Sequence, residues 1–300
     1  MAESMEQQAG GRVPVVECFR QAWQFLAGNW RLMLSAAAIT AVLSQAGVAL
    51  VLMMRGPPDG SQTMLTVTLW DMAAAAPAIV AGLLFYAVVL RKAIRGEFLG
   101  PTGLAFGADE VRLLGVTAAL ACVILPILAL LFIVVFFVVL GRLANSPEQL
   151  AALMEDQEAL AAALERSLGQ TGMLAFVLFV MIVTAMILYI SVRLVMINAA
   201  TIGERRIVIF QTWSWSRGNI LRMLGAVVLT ALPVFLIDSF LDTIRLSLLE
   251  TAPGGAGAAP ALLVVVNAAM GFVMAIVSIP TIVLGAILYK GLRPRDFVAK

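Results

Sequence analysis

The chain has 300 residues, 62% of them hydrophobic and 13% charged, with a formal net charge of +2 and a mean hydropathy of +1.00. So little polar surface cannot coat a water-soluble fold of this size, and so small a charge, with its basic residues dispersed, argues against a nucleic-acid partner. The absence of histidine removes the commonest general base, the usual metal ligand and every triad that needs imidazole.

The opening MAESMEQQAGGR begins acidic and no apolar core starts before Leu32, so no secretory signal peptide is expected and the chain should be retained whole. Val15 to Ala27 reads as an amphipathic helix floating on a membrane surface, its Trp and Phe among acyl chains. Apolar runs then predict an all-α, polytopic membrane helical bundle, a single domain over 1–300. Its six spans fall near 32–53, 72–90, 113–140, 173–197, 220–240 and 261–289. In the fifth, the uninterrupted apolar part is only Met223 to Ile237. Its helix is therefore expected to start at Ile220 and to continue through Asp238 and Asp242 toward Leu249, where carboxylates cost less than at mid-membrane. Cys18 and Cys122 lie at different depths and suit packing better than a disulfide.

Between the third and fourth spans, Leu143 to Thr171 predicts one capped helix at about 147–168. Ser146 fits the N-cap, Pro147 the first helical position and Gly169 the stop. Its remaining faces are acidic, through Glu155, Asp156, Glu158 and Glu165. The other connections on that side, RGPPDGSQ and TAPGGAGAAP, are turn chemistry and a small-residue loop.

Orientation follows from the cationic residues between spans. Of the twenty, only Arg55, Arg142, Arg166 and Arg245 fall on the side of the 147–168 helix, leaving sixteen for the other. Both termini are thus expected in the cytoplasm, with the 147–168 helix external.

A pattern recurs before the odd-numbered spans. Trp23 is followed by Gly28-Asn29-Trp30-Arg31-Leu32, and Trp213 by Gly218-Asn219-Ile220-Leu221-Arg222, while the third span opens on a degenerate Asp109-Glu110-Val111-Arg112-Leu113. The three tyrosines, Tyr86, Tyr189 and Tyr289, each precede an arginine near the end of an even-numbered span. This predicts three parallel hairpin repeats about an axis along the membrane normal, with Asn29, Asp109 and Asn219 capping helices that enter the membrane. Ile207 to Arg217 would be a second interfacial helix.

The Trp and Gly-Asn pattern, the segment RLVMINAATIGER running into WSWSRGNILRMLG, and a last span ending LYKGL together resemble a known family. It is the polytopic membrane domain fused to glycerophosphoryl diester phosphodiesterases, with its related stand-alone bacterial inner-membrane proteins. The resemblance implies a helical membrane fold and an inner-membrane location. It does not carry the enzyme over, because only eleven residues follow Tyr289 and the catalytic domain of that family uses His and paired carboxylates.

Candidate headgroup-binding or interfacial residues are Asn29, Arg31, Arg112, Arg193, Asn219 and Arg222; each also suits plain anchoring by snorkelling and aromatic-belt chemistry. Gln45 and Asn267 lie deep in the first and sixth spans, as interhelical glue or as the lining of a polar path. Asp238, Asp242 and Arg245 share one helical face and suit local pairing. Pro77, Pro126, Pro233 and Pro280 free backbone carbonyls inside four spans. No catalytic motif, cofactor or metal is expected. The expected partners are membrane lipids, anionic at the cytoplasmic face, with room for a protein partner or a homo-oligomer.

Three functional readings follow from these residues. The first is a non-catalytic membrane scaffold or helper. The second, a small transporter or channel for an amphiphilic solute, requires Gln45, Asn267 and the proline kinks to face a common interior. The third, an enzyme acting on headgroups, requires Arg193 and Glu204 to converge in a pocket.

Overall fold

A computed structural model describes residues 12–55, 69–138, 157–251 and 260–294. Among these residues the regular structure is all helix, without strands, and six helical stretches are long and apolar enough to cross a membrane. It is a multi-pass membrane protein. In chain order the helices are α1 (Val15–Arg55), α2 (Leu69–Arg95), α3 (Ala108–Val138), α4 (Gln157–Leu194), α5 (Ile197–Glu204), α6 (Gln211–Trp215), α7 (Ile220–Thr251), α8 (Pro260–Val277) and α9 (Ile279–Leu292). They fall into two compact units, one built from 1–116 with 192–300 and the other from 117–191.

In the first unit α1 packs along α2, α8, α9 and α7. Its contact stripe is Met33, Ala36, Ala37 and Ala41, all buried at helical spacing. Small residues let backbones approach closely where lipid supplies no hydrophobic drive for association. The most enclosed element is α9, buried almost without interruption from Ile279 to Tyr289, as expected for a helix apolar all round. Its Gly285 lies directly on the chain between α4 and α5: a Cβ there would stand 2.8 Å from the Val195 carbonyl oxygen. Pro280 cannot donate a backbone bond, and the helix breaks at Ser278, whose Oγ donates to the Ala275 carbonyl at 3.0 Å.

Three sequence expectations need correction. Val15 to Ala27 is not a separate surface helix, because α1 runs unbroken for 41 residues, about 60 Å at 1.5 Å per residue and twice a hydrocarbon core. One face of that stretch, with Cys18 and Ala22, is buried in protein. Nor does Asn29 cap a helix: it sits inside α1 and its Nδ2 donates to the Phe25 carbonyl at 2.9 Å, one turn back. The predicted helix over Ile207 to Arg217 shrinks to the five residues of α6. There Arg205 takes a left-handed conformation, with φ 53°. The Val208 N–H then donates to Thr201 Oγ1 at 3.3 Å in place of a helical carbonyl.

In the second unit, residues 157–168 are helical, and Gly169 leaves helical geometry with φ 62° and ψ 178° before the helix resumes toward Leu194. Residues 147–156 of the expected external helix lie outside the described residues. Apolar side chains such as Leu125, Leu130, Leu174, Met181 and Ile182 face outward, as helices solvated by hydrocarbon require.

Candidate functional site

At the arginine-rich end of the first unit, three groups of polar contacts hold the helix ends. The first staples the end of α2 to the start of α3. Arg91 and Glu110 are each only 2% exposed and form a salt bridge, and Arg91 Nη2 also donates to the Gly103 carbonyl at 3.1 Å. Beside them Arg95 pairs with Asp109 and, at 3.1 Å, with Glu97, while Arg112 reaches Asp109 at 2.9 Å. Cations end α2 and carboxylates begin α3, the order that the helix dipoles favour. Glu110 Oε2 also accepts from the Gly107 N–H at 2.9 Å, so the α3 cap is Glu110 reaching back and not Asp109 as expected. Gly103, at φ 70°, allows the turn, since a Cβ there would run into the Phe98 ring and Val88.

The second group is built on Arg193. It is 7% exposed, its Nη1 donates to the Trp213 carbonyl at 2.6 Å and to Ser216 Oγ at 3.2 Å, and its guanidinium lies 4.6 Å from the Trp213 ring centroid. The third centres on Glu204. Tyr289 Oη donates to Glu204 Oε1 at 2.6 Å, and Arg293 reaches the same carboxylate at 2.7 and 3.2 Å. The Tyr289 ring lies against Gly203, where any Cβ would collide with it, and its centroid is 6.2 Å from that of Trp215. Lys290 Nζ donates to the Ala93 carbonyl at 2.8 Å, tying α9 to the end of α2.

These contacts join segments that stand apart in the sequence. Arg193 and Glu204 belong to RLVMINAATIGER, Trp213, Trp215 and Ser216 to WSWSRGN, and Tyr289 and Lys290 to LYKGL. Asn219 stands just before α7, and its Oδ1 accepts from the Val13 N–H at 3.1 Å, tying the segment just ahead of α1 to the start of α7. Chemically, each carboxylate in these clusters is held by a guanidinium or a phenol. The arrangement locks helix ends.

The residues expected from sequence divide accordingly. Arg112, Arg193 and Asn219 are engaged inside the protein. Arg31 is exposed, 5.4 Å from the centroid of the Trp30 ring, and Arg222 is exposed at the start of α7. Gln45 is half-buried in α1 with its carboxamide oxygen buried and unpartnered. Asn267 is half-buried in α8 and makes no hydrogen bond with Gln45. Arg245 pairs with Asp242 at 3.7 Å. The Arg91–Glu110 pair and the Tyr289–Arg293 grip on Glu204 were not anticipated. Opposite charges across a Gly-rich connection, Arg91 and Arg95 before Asp109 and Glu110, were the signal for the first.

No protein-family model, curated protein or solved structure matches this chain.

Proposed function

We propose that this chain is a multi-pass protein of the bacterial inner membrane, with its arginine-rich end and both termini in the cytoplasm. It works as a non-catalytic scaffold or helper whose cytoplasmic face meets lipids or a partner protein. The sixteen-to-four distribution of cations supports the orientation. The single observation carrying the scaffold reading is that Arg91, Glu110, Arg193, Glu204 and Tyr289 are consumed in contacts that fasten helix ends together. The likeness to the membrane domain fused to glycerophosphoryl diester phosphodiesterases belongs to the same proposal, and its support is that the three segments carrying the likeness meet at one place.

Complementation of a deletion strain tests this reading, with the amount of folded protein measured beside it. For variants at Arg193, Glu204 and Tyr289, complementation is expected to follow the amount of folded protein. A variant that is abundant, folded and inactive through loss of one of these side chains would overturn it. The transporter alternative draws on one observation, the unpartnered Gln45 oxygen inside α1. Gln45→Met, discussed below, separates the two.

A further inference from the structure

Two connections lie at the arginine-rich end and differ in how their charge is handled. In 96–107 and the first turn of α3, cations and carboxylates neutralise one another: Arg95 with Glu97 and Asp109, and Arg112 with Asp109. The other connection, from Arg205 to Arg222, carries four arginines, and no acidic residue occurs between Glu204 and Asp238. Arg205, Arg217 and Arg222 are exposed. Between and beside them Phe210 is 79% and Leu221 82% exposed.

The segment is held from beneath. Val208, Thr212, Trp215, Ser216 and Asn219 are buried, and Arg193 grips both Trp213 and Ser216. Its outward face is therefore fixed by the core and needs no ordering on binding, which lowers the cost of association. Large apolar side chains interleaved with the exposed Arg205, Arg217 and Arg222 suit a surface that is apolar within and negative at its edge.

We infer that Arg205 to Arg222 is a preformed docking face for anionic phospholipid. Phe210 and Leu221 seat among the acyl chains, and Arg205, Arg217 and Arg222 meet the headgroup phosphates. The inference rests on the orientation proposed above, which puts this face at the cytoplasmic leaflet.

The test uses the full chain in nanodiscs of phosphatidylcholine mixed with phosphatidylglycerol, with retained lipids identified by native mass spectrometry. Wild type is expected to retain phosphatidylglycerol preferentially. The double variant Arg217→Gln with Arg222→Gln is expected to lower that preference about thirtyfold, from the usual strength of two arginines at an anionic surface. Arg20→Gln with Lys92→Gln removes two cations elsewhere at the same end and is expected to retain the wild-type ratio. Equal losses in both double variants, or no preference in wild type, would overturn the inference. So would retention of inorganic phosphate in detergent without retention of phosphatidylglycerol, which assigns a soluble anion instead.

Orientation is read separately from Lys300→Cys in a background carrying Cys18→Ala and Cys122→Ala, using a membrane-impermeant maleimide. Labelling in inverted vesicles but not in intact spheroplasts supports the orientation, and a lipid result against the inference then leaves the proposed function standing. Labelling in intact spheroplasts overturns the orientation and the inference that rests on it.

Discussion

Replacing Glu110 by Gln tests whether the buried charge pair holds the first unit together. Arg91 and Glu110 are both almost wholly buried, so the substitution leaves a guanidinium out of water with the Gly103 carbonyl as its remaining hydrogen-bond acceptor. Breaking a buried pair by removing one partner costs about 3–5 kcal/mol, and weakening the Glu110 bond to the Gly107 N–H adds about 0.5–1 kcal/mol. At about 2–4 °C per kcal/mol for a body of this size, the transition should fall by about 7–24 °C. Cys18 is a reporter already in place, because its side chain lies in the same core. In a Cys122→Ser background, maleimide labelling on heating follows exposure of Cys18 as the unit opens. The double variant Arg91→Met with Glu110→Met removes the unpaired charge as well as its partner and should recover most of the loss. A Glu110→Gln protein that labels at the wild-type temperature, or a double variant as unstable as the two single changes added together, would refute the argument.

The spans were legible because hydropathy is a local property: a run of apolar residues needs no knowledge of its neighbours to be costly in water. For the same reason Gly169 was readable as a helix stop, and Ile220 as the start of a helix that runs on to Thr251 past Asp238 and Asp242. The helix ends at the arginine-rich side were less legible. Gly28-Asn29 has the composition of a helix start, yet α1 passes straight through it, because Cys18 and Ala22 one side of it and Met33 and Ala36 the other are buried in the same core. Packing on both sides outweighs a local preference of about 1 kcal/mol. The internal partners of Arg193 and Arg112, which read as headgroup-binding or interfacial anchors, were not legible, since residue type gives charge but not depth. Their partners lie at Trp213 and Ser216 for one and Asp109 for the other, and the folded backbone decides those distances. The tyrosines make the same point: Tyr289 is buried on Glu204, whereas Tyr189 is exposed.

Glycine positions give a paired prediction. Gly285→Ala places a methyl 2.8 Å from the Val195 carbonyl oxygen and should destabilise by about 1–3 kcal/mol, whereas Gly28→Ala, with open space around it in α1, should be neutral or stabilising by up to about 1 kcal/mol; the Cys18 labelling transition measures both. Arg193→Lys keeps the charge but loses the planar fork that serves Trp213 and Ser216 and the stack on the Trp213 ring, so the same transition should fall by several degrees, about 1–3 kcal/mol. Tyr289→Phe leaves Glu204 held by Arg293 alone and should cost about 1–2 kcal/mol, with adding Arg293→Met costing more than its effect on an intact Tyr289. Gln45→Met carries the sharpest distinction. The Gln45 oxygen is buried in α1 with no partner, and a buried acceptor left unsatisfied costs about 1–3 kcal/mol. If Gln45 is only a packing residue, an apolar side chain of similar volume removes that cost, and the labelling transition should rise by about 2–12 °C while complementation is unchanged. If instead the oxygen lines a solute path, the same stabilised protein would lose its activity, because a group able to replace a solute's hydration there is gone. A variant more stable than wild type but unable to complement would therefore displace the scaffold reading in favour of transport.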